Sequence, residues 1–212
     1  MVIKSISFSN TEILNNINKL YLSNKGFELD PTYSKGNFYK NFPKPRYISD
    51  LEPKFEYVEK ADCTKLKYNT NSIESICFDP PFLFGTGGNR DKNISSKRFS
   101  ILPNHNALIN LYSNSLIEFY RILKPKGILA FKCQDFTDGK TYFVHNEVYN
   151  LAIQNNFKPI DLFILLAKIR IYNPNLKQRH SRKFHCYWYI FKKWILKYRT
   201  PPVNTKLIFI SK

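Results

Sequence analysis

The chain has 212 residues, 43% of them hydrophobic, which suffices for one full-sized core and leaves little room for a second. Lysine and arginine number 33 against 16 aspartates and glutamates, so the formal net charge is +17. That surplus favours phosphate backbones as partners, although a lysine-rich proteome would raise the same charge. No run approaches the ~18 apolar residues that span a bilayer, and Met1 to Asn10 lacks the apolar centre of a secretion signal. Cys63, Cys77, Cys133 and Cys186 have no Cys-x-x-Cys spacing, which argues against a zinc knuckle or a disulfide framework. The expectation is a cytoplasmic protein with no metal and no membrane partner.

In chain order, Thr11 to Ser23 carries Ile13, Leu14, Ile17, Leu20 and Leu22 near helical spacing, with Asn10 or Thr11 as cap. Phe27 to Leu29 reads as a short strand. Asp30-Pro31-Thr32-Tyr33-Ser34-Lys35-Gly36 follows as a polar turn with a single glycine. Tyr47 to Asp50 is a second short strand, with Glu52 just beyond it. Val58 to Asp62 is a third, and Ile73 to Phe78 is a fourth that stops at Asp79. Four acid-tipped strands in a row suggest a nucleotide-like ligand laid across the carboxyl ends of a parallel sheet.

Asp79-Pro80-Pro81-Phe82 is the most informative segment. A strand ending in aspartate, two prolines and an aromatic fixes a carboxylate, a backbone carbonyl and a ring face at one tip. A nucleobase amine needs those groups. Its lone pair is delocalised into the ring, so it must be oriented by two acceptors while the base stacks on a ring face. Asp-Pro-Pro is also an ordinary turn, and as four letters alone the tetrapeptide supports either reading.

Leu83 to Asn106 is a long polar loop with Gly85, Gly87 and Gly88 and the basic residues Arg90, Lys92, Lys97 and Arg98. It reads as a nucleic-acid-contacting flap, against the alternative of a plain solvated loop. Ala107 to Leu123 is an amphipathic helix that Lys124-Pro125-Lys126-Gly127 ends. Ile128 to Lys132 is a fifth strand, tipped by Lys132-Cys133-Gln134-Asp135. Lys132 and Gln134 are candidates to hold a phosphate or a base edge, and a strand leaving the core explains them equally well. Tyr142 to Asn156 reads as a helix, and Pro159 to Ile171 and Lys183 to Lys192 as paired strands. Their connection carries Lys177, Arg179, Arg182 and Lys183 interleaved with Tyr172 and His180, a pattern that suits a phosphate backbone and an unstacked base. A solvated charged face is the bland alternative. His145 and His185 are expected to be structural.

The tetrapeptide after its apolar run, together with Glu118 to Leu129, resembles the S-adenosylmethionine-dependent DNA methyltransferases that modify adenine N6 or cytosine N4. The similarity is to small stand-alone forms of bacteria and their viruses and runs from Phe27 to Lys193. It implies an α/β, Rossmann-like class I methyltransferase domain over residues 1–193, with residues 194–212 as a tail. Its sheet would be mostly parallel and seven-stranded, with an antiparallel last strand.

By this resemblance Asp79, Pro80, Pro81 and Phe82 are catalytic. S-adenosylmethionine would meet Asp30, Tyr33 and Gly36 with its methionine part, Asp50 or Glu52 with its ribose, and Asp62 with its adenine amine. The chain departs from the family in its first motif, where Gly-x-Gly is usual and only Gly36 is present. DNA is the expected substrate, with adenine N6 ahead of cytosine N4. An RNA adenine-N6 methyltransferase and a catalytically silent nucleic-acid-binding protein on the same scaffold are the alternatives. Methylation at cytosine C5 needs a cysteine nucleophile from a Pro-Cys step, and the sequence has none.

Overall fold

Side chains that alternate between the two faces of central strands buried on both sides set the layers of this protein. A computed structural model describes residues 2–84, 102–138, 140–169 and 179–194. The elements in order are β1 (Ile6–Ser7), α1 (Asn10–Tyr21), β2 (Leu29–Asp30), a 3-10 turn (Asn37–Lys40), β3 (Tyr47–Asp50), β4 (Glu59–Lys60) and β5 (Ile73–Phe78). Then come α2 (His105–Ile122), β6 (Leu123–Cys133), β7 (Phe136–Asp138), β8 (Lys140–Tyr142), α3 (Val144–Gln154), β9 (Phe157–Leu166) and β10 (His185–Lys193).

Eight strands form one sheet in the order β1-β9-β10-β6-β5-β2-β3-β4, and β7 and β8 make a separate hairpin. From β6 through β5, β2 and β3 to β4 every pairing is parallel. β10 lies antiparallel to both β6 and β9.

On one face Ile76, Phe78, Leu129, Phe131, Tyr189 and Phe191 pack against Leu108, Tyr112, Leu116 and Phe119 of α2 and Val144 and Val148 of α3. On the other, Cys77, Ile128, Ala130, Trp188 and Ile190 meet Ile13, Leu14 and Ile17 of α1. Each strand supplies both cores because its side chains alternate between faces. α1 starts where Ser9 caps the Glu12 amide at 3.3 Å, and α2 starts where Asn104 caps Ala107 at 2.9 Å. Phe78 meets Phe119 and Phe131 edge-on at 4.7 and 4.9 Å, so the residue before Asp79 is locked from two sides.

Several expectations need correction. The sheet has eight strands, not seven, because β1 adds an edge strand beside β9; two residues are too few to show a period. The strand expected over Phe27 to Leu29 is shifted, with β2 at Leu29–Asp30. Lys124 to Gly127 lies within β6 as an irregularity, marked by Lys126 at φ 67° and by a register shift against β5 between Ile73 and Ser75. The β7–β8 hairpin was not anticipated. Among the described residues no helix is long and apolar enough to cross a membrane, and no cluster of three or more His, Cys, Asp and Glu could hold a metal.

Candidate active site

Parallel pairing brings the carboxyl ends of β5, β2, β3 and β4 to one edge in that order, so Asp79, Asp30, Asp50 and Asp62 stand in a row. Asp30 is 2% exposed. Its Oδ1 accepts the Thr32 amide at 2.8 Å and the Thr32 hydroxyl at 3.2 Å, and its Oδ2 accepts the Tyr39 hydroxyl at 2.6 Å. Burial pushes its carboxyl up to about 7 against those hydrogen bonds, and the nearby Asp79 charge adds to the rise.

Asp50 accepts the Ser34 amide and the Glu52 amide, both at 2.9 Å. Asp62 takes the Thr64 amide and hydroxyl, both at 2.8 Å, on Oδ1. Glu52 is exposed, 3.8 Å from Lys54. Both Asp50 oxygens keep a lone pair for a ribose hydroxyl, and Asp62 keeps its Oδ2 for an exocyclic amine. Leu51, 62% exposed beside Asp50, adds apolar surface for a flat ring.

The turn from Asp30 to Gly36 explains how one glycine serves. Ser34 has φ 50° and Gly36 φ 65°, so the two left-handed positions stand at Gly-x-Gly spacing with serine at the first. The backbone path is kept at a cost of about 1 kcal/mol for the serine. Gly36 has no such latitude, since a Cβ there would lie 2.4 Å from the Tyr33 ring, which stacks on Tyr39 at 5.4 Å. Ser34 was not singled out in the sequence; its place two residues before Gly36 was the available signal.

Asp79 is built in from every side but one. Its amide donates to the Thr32 hydroxyl at 3.0 Å, which ties it to the Asp30 turn. Its Oδ2 lies 3.2 Å from Lys132 Nζ, whereas Oδ1 is buried without a hydrogen-bond partner among the described residues. Lys132 is 7% exposed, and its ammonium sits 5.0, 5.5 and 6.0 Å from the rings of Phe38, Trp188 and Phe82. The Pro81 carbonyl accepts the Tyr112 hydroxyl at 2.9 Å, pinning the tetrapeptide to α2. Thr32, Phe38, Tyr112 and Trp188 carry no local motif, so only their packing reveals them.

Not every candidate converges here. Arg90, Lys97, Arg98 and Lys177 lie outside the described residues. Arg179 and Arg182 are exposed and Lys183 half-buried in the segment entering β10, which starts at the edge where β6 ends. Gln134 is buried, and its amide donates to the His185 carbonyl at 3.1 Å, a tie between the end of β6 and the start of β10. Asp135, 3% exposed, accepts the His145 amide at 3.1 Å and pairs with its Nδ1 at 2.8 Å. His185 Nε2 meets the Tyr187 hydroxyl at 2.9 Å. His145 therefore ties the end of β6 to the start of α3, whereas the His185 ring meets a residue of its own strand.

No protein-family model matches the sequence, and no curated protein matches it. Among solved structures, a Burkholderia thailandensis 1,6-didemethyltoxoflavin-N1-methyltransferase with bound 1,6-didemethyltoxoflavin and S-adenosylhomocysteine is similar at 14% identity and a TM-score of 0.51. The match covers 89% of this chain and 80% of that one. A candidate DNA modification methylase from Thermus thermophilus, complexed with S-adenosyl-L-methionine, is 16% identical with a TM-score of 0.46 over 66% of this chain and 56% of that one. TrmN from Thermus thermophilus is 13% identical with a TM-score of 0.47, over 86% and 48%. The chain thus spans about half the length of the Thermus proteins. It has a Rossmann-like methyltransferase fold.

Proposed function

We propose that this protein is an S-adenosylmethionine-dependent methyltransferase acting on the exocyclic amine of a DNA base, adenine N6 ahead of cytosine N4. One observation carries the reading. At the tip of β5 a single carboxylate has one oxygen tied to a buried ammonium and the other buried without a donor among the described residues, three residues before a half-buried phenylalanine. A buried acceptor left unpaired is costly, and an incoming amine hydrogen removes that cost.

The turn from Asp30 to Gly36 would take the methionine part of the cofactor, Asp50 its ribose hydroxyls with Glu52 beside them, and Asp62 its adenine amine. When bound, the cofactor supplies a methyl group activated by a positive sulfur. The target base leaves its stack to reach Asp79, at a few kcal/mol that stacking on Phe82 offsets. Asp79 Oδ1 and the Pro80 carbonyl accept the two amine hydrogens and aim the nitrogen lone pair at the methyl. On gaining the methyl group, with the cofactor leaving as its neutral thioether, the nitrogen would give up one proton to Asp79. Arg179, Arg182 and Lys183 would hold the phosphate backbone, and the formal charge of +17 supports that attraction.

The test incubates protein with methyl-labelled cofactor and unmethylated genomic DNA or total RNA, followed by digestion to nucleosides. Labelled N6-methyldeoxyadenosine or N4-methyldeoxycytidine supports the proposal and selects the base. Label confined to RNA moves the substrate to RNA, and no label with intact cofactor binding rules the reaction out.

A further inference from the structure

The Lys132 ammonium is placed to do more than pair with Asp79. Phe78 lies opposite Phe131 in the β5–β6 register, so the next residues, Asp79 and Lys132, are neighbours across two parallel strands. An ammonium has three N–H donors. Among the described residues one goes to Asp79 Oδ2 at 3.2 Å, and the surrounding rings of Phe38, Trp188 and Phe82 stabilise the charge without taking up the other hydrogens as oxygen or nitrogen acceptors would. Asp79 Oδ1 is a buried acceptor with no donor among the described residues. The two residues therefore present a vacant acceptor and a spare donor side by side, next to Phe82.

We infer that Lys132 is a specificity-determining residue, donating to the ring nitrogen adjacent to the methylated amine. Asp79 and Lys132 then read together the edge that adenine (N6 and N1) and cytosine (N4 and N3) share, an amine donor beside a ring acceptor. The inference rests on the amino-methyltransferase reading above. Thymine and uracil present a carbonyl and a ring N–H, and guanine on its Watson–Crick side places a ring N–H beside its amine. Either arrangement turns a donor toward the ammonium and leaves a buried polar group unpaired. Donation to the ring nitrogen also makes the amine hydrogens more acidic, which helps Asp79 accept one.

The test compares kcat/KM for oligonucleotides containing the base that the wild type methylates with the same oligonucleotides in which the neighbouring ring nitrogen is C–H, 1-deazaadenine or 3-deazacytosine. Removing that nitrogen withdraws less of the amine lone pair, so intrinsic reactivity should rise and a fall reports a lost contact. The wild type should lose roughly 10- to 100-fold on the deaza substrate. Lys132→Met should be slower on the natural base and discriminate by less than about 3-fold, within the scatter of an energetically neutral change. Equal wild-type rates on both substrates overturn the inference, as does full discrimination retained by K132M. The wild-type comparison decides alone if K132M does not fold. Absence of transfer to any natural base overturns the amino-methyltransferase reading itself, an outcome the natural-base arm reports separately.

Discussion

Asp79 makes the sharpest demand of any single residue. Asp79→Ala removes the acceptor and should lower transfer by roughly 10³-fold or more while leaving cofactor affinity within a few-fold, measured by single-turnover kinetics and calorimetric titration. Lost affinity with retained turnover would contradict its role. Asp30 gives a pH signature. Its carboxyl is raised to about 7 from an ordinary 3.8, chiefly by burial, so the folded state keeps a proton that the unfolded chain releases. Its contribution is fully favourable below about pH 4 and is lost as the pH rises toward 7, a difference of roughly 4 kcal/mol. Asp30→Asn should flatten that dependence in urea unfolding between about pH 4.5 and 8, with the Tyr39 hydroxyl turning to accept from the amide. A slope unchanged by the substitution would assign the titration elsewhere. Ser34→Gly should stabilise by about 1 kcal/mol, since it relieves a left-handed serine at no contact cost visible in the structure.

Elements act by holding those residues still. α2 reaches the tetrapeptide through the Tyr112 hydroxyl on the Pro81 carbonyl, and its Phe119 packs against Phe78 one residue before Asp79. Tyr112→Phe leaves that carbonyl without its donor and should cost about 1 to 2 kcal/mol of stability. It should also slow transfer several-fold at saturating substrate, a KM-against-kcat split that distinguishes positioning from binding. If the target base stacks on Phe82 as proposed, the ring face matters more than its substituent. Phe82→Ala should therefore raise KM for the nucleic acid while Phe82→Tyr stays near wild type. β6 contributes Lys132 on one face and the Asp135–His145 tie beyond its end, so a single strand links the tetrapeptide to the start of α3.

At the scale of the whole molecule, charge would set how the proposed nucleic-acid substrate is met. With a formal charge of +17, DNA affinity should fall steeply with salt. Arg179→Ala and Lys183→Ala should each reduce the log–log salt slope by about 1 if each neutralises one phosphate, read by fluorescence anisotropy from roughly 50 to 300 mM salt. An unchanged slope would move the contact surface away from the entry to β10.

The sequence by itself determined the fold class and the row of acids. Short runs that stop at Asp30, Asp50, Asp62 and Asp79 are local patterns, and parallel pairing then places their tips together. Asp79-Pro80-Pro81-Phe82 was legible because proline and aspartate act on their own backbone neighbours. What only the tertiary structure decided depends on residues far apart in the chain. Lys132 was ambiguous until β6 paired with β5 and set it against Asp79, 53 positions away. The Gln134 amide reaches the His185 carbonyl, 51 positions away, for the same reason. The left-handed serine at position 34 is a backbone conformation that residue type alone does not announce. The edge strand β1 exists because β9 offers it backbone partners, and two residues hold no period of their own. Local physics writes periodicity and turns into the sequence, whereas pairing between distant side chains is fixed only when the sheet order is.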